Sequence, residues 1–281
     1  MILLKPVFLI AIVAVAMIGV MVPTSDAFIT NQIPSTSLGT IDIAGHHIIP
    51  SSGDNPSTFD SDGNLWVAET DNNRIVKYPV DNLGMYGYYT VVLGQYNLGT
   101  NVANNGGLSS FSLNAPNGLT FDSSGNLWVA DKGNSRVLKY PAANLSTGGA
   151  ATVALGQSDL TSKSSGTTAT KFLDLRSLEF DSDGNLWVAD KNNLRIVMFP
   201  AANLATGGAA TLVLGQPDFT SKTSNTAANG GLASTTLDTV TGLAFDSSGD
   251  LWVVDDGNHR IMKYDNISGS QSTTSISTGA N

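Results

Sequence analysis

Apolar and polar positions along this chain alternate in short runs, and the runs recur. In the clearest copy, Gly118-Leu-Thr-Phe121 alternates as a half-buried strand does, and Asp122-Ser-Ser-Gly-Asn126 interrupts it with turn chemistry. Asp and Ser cap such turns locally, and Gly125 supplies a positive φ. Leu127–Ala130 reads as a second strand ending on Asp131, and Lys132–Ser135 as a second turn. Arg136–Tyr140 reads as a third strand, stopped by Pro141, which has no N–H for a ladder. A polar connection over 142–149 leads to a fourth strand, Ala150–Leu155, with equivalents expected at Tyr89–Leu93 and Ala209–Leu214.

The segment Phe121–Asp131 has three relatives, Phe59–Glu69, Phe180–Asp190 and Phe245–Asp255, and all four tryptophans fall at the same place in it. Trp66, Trp128, Trp187 and Trp252 are spaced by 62, 59 and 65 residues. A period of this length, with four short antiparallel strands per copy, is the plan of a β-propeller blade. The predicted fold is therefore all-β, a propeller of four blades with four antiparallel strands each. The fourth copy stops after its third strand, Arg260–Tyr264. Gly39–Gly45 can be laid on Tyr89–Gln95, so a strand at 39–45 is expected to join the last blade and close the ring, removing exposed sheet edges. Long loops rich in Ser, Thr, Asn and Gly separate the copies at 94–115, 156–173 and 215–239. Loops of this length are usually functional or mobile.

The run Asn117-Gly-Leu-Thr-Phe-Asp-Ser-Ser-Gly-Asn-Leu-Trp-Val-Ala-Asp-Lys-Gly-Asn-Ser-Arg-Val-Leu-Lys-Tyr140 resembles an NHL repeat, and all four copies, roughly residues 54 to 265, fit it. The resemblance implies a propeller that binds macromolecules or ligands on one face. Some members are similar in fold to lyases and lactonases with a central metal, and others bind RNA through basic surfaces. This chain departs from the larger relatives in having four copies, and from the RNA binders in being acidic.

Charge sharpens that contrast. With 14 Lys and Arg against 23 Asp and Glu, the net charge is −9 and the basic residues are scattered, which disfavours a phosphate-backbone partner. Cysteine is absent, so disulfides, thiolate metal sites and a Cys nucleophile are excluded. Residues 1–27 read as a secretory signal: Lys5, an apolar run Val7–Val22, then Ser25-Asp26-Ala27 as a small-x-small site before Phe28. An uncleaved membrane anchor is the alternative, for which the run is slightly short. The propeller is expected over 28–265, a flexible Ser/Thr/Gly-rich tail over 266–281, and the location is secreted or cell surface.

Repetition separates scaffold from candidate site, because a residue present in every copy is explained by the fold. By that test the four tryptophans are core packing between blades. The pairs Glu69/Arg74, Asp131/Arg136, Asp190/Arg195 and Asp255/Arg260 are structural, each expected as a bidentate contact pinning a hairpin. Asp60-Ser-Asp-Gly-Asn64 and Asp181-Ser-Asp-Gly-Asn185 lack the Gly and Glu spacing of an EF-hand loop and read as turns, with surface Ca²⁺ left open. No other cofactor is expected. His46, His47 and His259 are too few and too scattered to suggest a zinc centre.

The departures from the repeat gather on the face that carries the second-to-third-strand turns and the long loops. Candidate ligand-binding residues there are Asp71, Lys132, Lys191, Asp256 and His259, with Asn117 near the axis. In the third copy, Arg176 stands where the others have Asn55, Asn117 and Thr241, and Glu179 where they have Thr58, Thr120 and Ala244. First strands are expected to line a central channel, so this places charge near the axis in one blade, read either as a local salt bridge or as a ligand contact. The reading preferred is an exported, non-enzymatic scaffold binding a protein or cell-surface glycan through its loop-rich face. The alternatives are a metal-dependent hydrolase or lyase at the central channel, and a surface protein that assembles through the unsealed edges of an incomplete ring.

Overall fold

Each copy of the repeat folds as an antiparallel meander in the computed structural model, which describes residues 56–83, 87–225, 233 and 235–267. The first blade contains β1 (Ser57–Phe59), β2 (Leu65–Glu69), β3 (Arg74–Tyr78) and β4 (Val91–Leu93). The second contains β5 (Pro116–Phe121), β6 (Leu127–Asp131), β7 (Arg136–Tyr140) and β8 (Val153–Leu155). The third contains β9 (Leu175–Phe180), β10 (Leu186–Asp190), β11 (Arg195–Phe199) and β12 (Leu212–Leu214). The last contains β13 (Val240–Phe245), β14 (Leu251–Asp255) and β15 (Arg260–Tyr264). Strands pair in chain order within each sheet. The fold is thus a four-bladed all-β propeller, with three strands of the last blade among the described residues. The strand expected at 39–45, the secretory segment 1–27, His46, His47 and residues 268–281 of the tail lie outside the described residues. No helix among the described residues is long and apolar enough to cross a membrane.

The first-to-second-strand turn is built by its aspartate. Asp122 Oδ1 accepts the N–H groups of Ser124 and Asn126 at 3.0 Å each, and Oδ2 accepts the Trp128 indole N–H at 2.9 Å. Asp60, Asp181 and Asp246 hold Trp66, Trp187 and Trp252 in the same way, each at 2.9 Å. Burial alone would raise the Asp122 carboxyl, but the bonds from Trp128 and Asn126 hold it below its usual range. These carboxylates are turn and tryptophan anchors, as repetition implies.

The core lies in the seams between blades. Trp66 meets Phe121 edge to face at a ring-centroid distance of 6.0 Å, Trp128 meets Phe180 at 5.8 Å, and Trp187 meets Phe245 at 5.8 Å. Each blade therefore presents a tryptophan face to its successor and a phenylalanine face to its predecessor, a geometry favoured by the ring quadrupoles. Trp66, Trp128 and Trp187 are fully buried in these seams, but Trp252 is 38% exposed. The expectation of four core tryptophans is corrected for Trp252, because no described blade covers its face.

The fourth strands are shorter than the sequence suggests, three residues each. The edges of β4 and β8 are covered by the next blade. Gly148 N–H donates to the Val92 carbonyl at 3.1 Å and Thr147 Oγ1 accepts the Val92 N–H, while Gly207 and Thr206 treat Ala154 alike. Short edges capped this way offer little template for pairing with another chain.

Candidate functional site

The repeated acid–arginine pairs tie the long loops to the blades. Arg136 Nε donates to Asp131 Oδ2 at 2.7 Å, while its Nη1 donates to the Leu160 carbonyl and its Nη2 to the carbonyls of Ser109 and Ser112. Asp131 Oδ1 accepts the Asn114 N–H at 2.8 Å. Arg195 repeats the pattern with Asp190, Phe219, Thr168 and Lys171. The expected bidentate pairing is corrected here: one guanidinium nitrogen meets the acid, and the remaining donors gather backbone carbonyls of two loops. Arg74 and Arg260 make the same Nε contact, to Glu69 and Asp255.

A second anchor was not read from the sequence, although Leu-Gly-Gln stands at each loop start. Gln157 is buried, donates to the Ser135 and Ser164 carbonyls and accepts the Ser164 N–H. Gln216 does the same with Leu194 and Thr223, and Gln95 reaches the carbonyls of Asn73 and Val102. The loop stretches so anchored belong to the scaffold.

What the scaffold does not consume is concentrated on the third blade. Ahead of β9, Asp174 stands where the second and fourth blades have the left-handed Ala115 and Thr239. Its carboxylate lies 3.4 Å from Arg176 Nη2 and 3.8 Å from Lys132 Nζ, the latter reaching across from the second blade. Its backbone carbonyl accepts the Lys191 N–H at 2.8 Å. Two of the candidate side chains, Lys132 and Arg176, are thus brought together around one buried acid that sequence reasoning missed, while Lys191 meets that residue through its backbone N–H. The strand pair behind them is tight: a Cβ on Gly118 would stand 2.4 Å from the Arg176 carbonyl. Asn117, one residue earlier on β5, is buried beside that contact, with its amide nitrogen lacking a hydrogen-bond partner among the described residues. First strands therefore adjoin rather than merely lining a space.

Glu179 is separate from this cluster. It lies three residues along β9 from Arg176, roughly 10 Å at the rise of an extended strand. It pairs across the ladder with Trp187, so it shares that face and looks toward the fourth blade. Its carboxylate makes no hydrogen bond or ion pair among the described residues, and burial pushes it up to about 7. The local salt bridge considered for Arg176 is present, made with Asp174 two residues earlier.

Asp71, Asp256 and His259 lie on the first and last blades, exposed. No contact among the described residues ties them to the cluster. His259 ends its turn at φ 52°, the role filled by Asn73, Ser135 and Leu194 elsewhere. Among the described residues, no three His, Asp or Glu side chains stand close enough to hold a metal ion.

With this geometry in hand, comparison with known proteins adds the repeat's family. Residues 113–140 and 237–264 match the model of the NHL repeat. Two of the four blades are NHL repeats. They are the second and fourth; the first and third lie outside both matches. No curated protein matches the chain. Similar solved structures include a streptogramin B lyase at 19% identity, covering 79% of this chain and 53% of that one, with a TM-score of 0.47. A catalytically inactive virginiamycin B lyase from Staphylococcus aureus with quinupristin is 16% identical, covering 77% and 54%, at 0.45. A protein of unknown function from Bacteroides caccae is 13% identical, covering 78% and 66%, at 0.43. The chain spans about half the length of the two lyases.

Proposed function

We propose that this NHL propeller is an exported scaffold that binds a protein or cell-surface glycan through its loop-rich face, centred on the third blade. One observation carries the reading. Asp174, Arg176 and Ser177 replace small or neutral residues of the second and fourth blades, within four consecutive positions and in one blade only. Repeated polar groups elsewhere are spent on turns, loop anchors and tryptophans, whereas this set serves no function common to the blades. A charged group on a rigid strand, beside ordered loops, suits recognition of a polar partner surface. Lys132 supplies the second blade's contribution, so a partner bound there would bridge two blades.

The test is binding of labelled protein to intact cells of the producing organism, before and after protease treatment. Wild type is expected to bind, and the Lys132→Glu, Arg176→Ala double variant to bind at least tenfold more weakly with unchanged circular dichroism. Loss of binding after protease identifies a protein partner, and survival identifies a glycan. Equal binding by the variant, or none by wild type, overturns the reading.

A further inference from the structure

Three times within this chain, one blade's tryptophan face closes on the next blade's phenylalanine face, and at the two ends the halves of that joint stand open. Trp252, Val254 and Ile261 are 38%, 40% and 67% exposed. They hold the positions of Trp187, Ala189 and Ile196, which are fully buried against the last blade. At the other end Phe59 is 53% exposed, although Phe121, Phe180 and Phe245 at its position each receive a tryptophan. Beside it Leu65 and Val67 are half-buried, where Leu251 and Val253 are fully buried under the third blade.

Trp252 is also held in readiness. Its indole N–H donates to Asp246 Oδ2 at 2.9 Å, and Lys263 Nζ lies 5.7 Å over its ring. The buried Trp66 and Trp128 have the same two restraints, with Lys77 and Lys139 at 5.5 Å. A large apolar side chain fixed in its binding pose loses little entropy on docking. An exposed cluster of this kind marks an interaction surface.

We propose that the occupant is a second copy of this chain. The Trp252 face of one copy docks on the Phe59 face of the other, and the second copy's Trp252 face docks back on the first. Complementarity is given by the repeat, since both faces are halves of a joint the chain already makes three times. A head-to-tail contact either closes a ring or grows a filament. Two copies bring eight blades together, the upper end of the usual propeller range of about four to eight, and three copies would exceed it.

The experiment is light scattering of the full chain at micromolar concentration, with iodide quenching of tryptophan fluorescence. Wild type is expected at twice the monomer mass with all four tryptophans protected. Ile261→Arg and Phe59→Arg are each expected to give folded monomers with one quenchable tryptophan. Mixing these two variants restores a dimer, because the Trp252 face of Phe59→Arg and the Phe59 face of Ile261→Arg are both intact. A wild-type monomer overturns the proposal, whether Trp252 is quenched or is shielded by the chain's own residues 28–55. So does a dimer indifferent to both substitutions, and so does a ladder of higher oligomers.

Discussion

Glu179 is the residue whose chemistry departs furthest from its copies. Burial beside Trp187 raises its carboxyl from 4.5 to about 7, with no partner to oppose it. In the unfolded chain the group titrates in the ordinary carboxylate range. Below that range both states are protonated, and the burial of a neutral Glu179 contributes in full. Between pH 4.5 and about 7 the folded protein holds a proton that the unfolded chain has lost, so stability falls as pH rises and levels off above 7. The loss is on the order of 2–3 kcal/mol for a half-buried group. Glu179→Gln is expected to remove this slope, so its advantage over wild type should be larger at pH 8 than at pH 5 in urea unfolding. Parallel changes in the two proteins would refute the assignment. Glu179 and Arg176 were legible in the sequence because three other copies supply the comparison. Asp174 was not, because it precedes the aligned strand and its partner Lys132 belongs to a different blade. Sequence order does not show a contact made across a seam.

Strands and loops are held by two devices that can be broken separately. Gly118 lets β5 press against β9, and the atom a Cβ would strike is the Arg176 carbonyl, which is backbone and cannot swing aside. Gly118→Ala is expected to cost about 2 kcal/mol or more, as overpacking does, and to weaken partner binding by displacing Arg176. Arg136→Ala acts on the loops. It leaves Asp131 buried with its cation gone and orphans the carbonyls of Leu160, Ser109 and Ser112. Breaking a buried pair this way costs about 3–5 kcal/mol. Arg260→Ala should cost less, since that side chain is 22% exposed at the open end. Urea midpoints rank the two variants, and trypsin should cut Arg136→Ala within 156–173, at Lys163 or Lys171, while sparing wild type. The strands themselves were legible, because alternation, turn residues and the stop at Pro141 all agree. The loops read as mobile or functional from their length and composition alone. Their order comes from Arg136, Arg195, Gln157 and Gln216, whose reach to distant carbonyls leaves no trace in local pattern beyond repetition.

At the scale of the whole molecule, stability in a repeat array is a sum of each unit and its interfaces with its neighbours. The second and third blades have a neighbour on both faces, whereas the last blade has one open face and three described strands. Its amides should therefore exchange with solvent by local opening at lower free energy than those of the central blades. Hydrogen exchange is expected to be faster throughout β14 and β15 than in β6, β7, β10 and β11. The second-to-third-strand ladder has the same register in all three blades, with Trp252 paired to Lys263 as Trp128 is to Lys139, whereas β15 lacks the fourth-strand partner that β7 and β11 have among the described residues. A difference in protection of β14, which has a strand on both sides in its own blade, thus reports the missing interface rather than weaker pairing. If a second copy supplies that interface, protection of β14 and β15 should rise with protein concentration, while β6 and β7 stay unchanged, because mass action stabilises only the segments that dimerisation covers. Ile261→Arg should abolish the concentration dependence and leave the fast exchange. Equal protection of β14 and β6 in that variant at every concentration would show that the open face costs the last blade nothing, and that its stability is set within the blade.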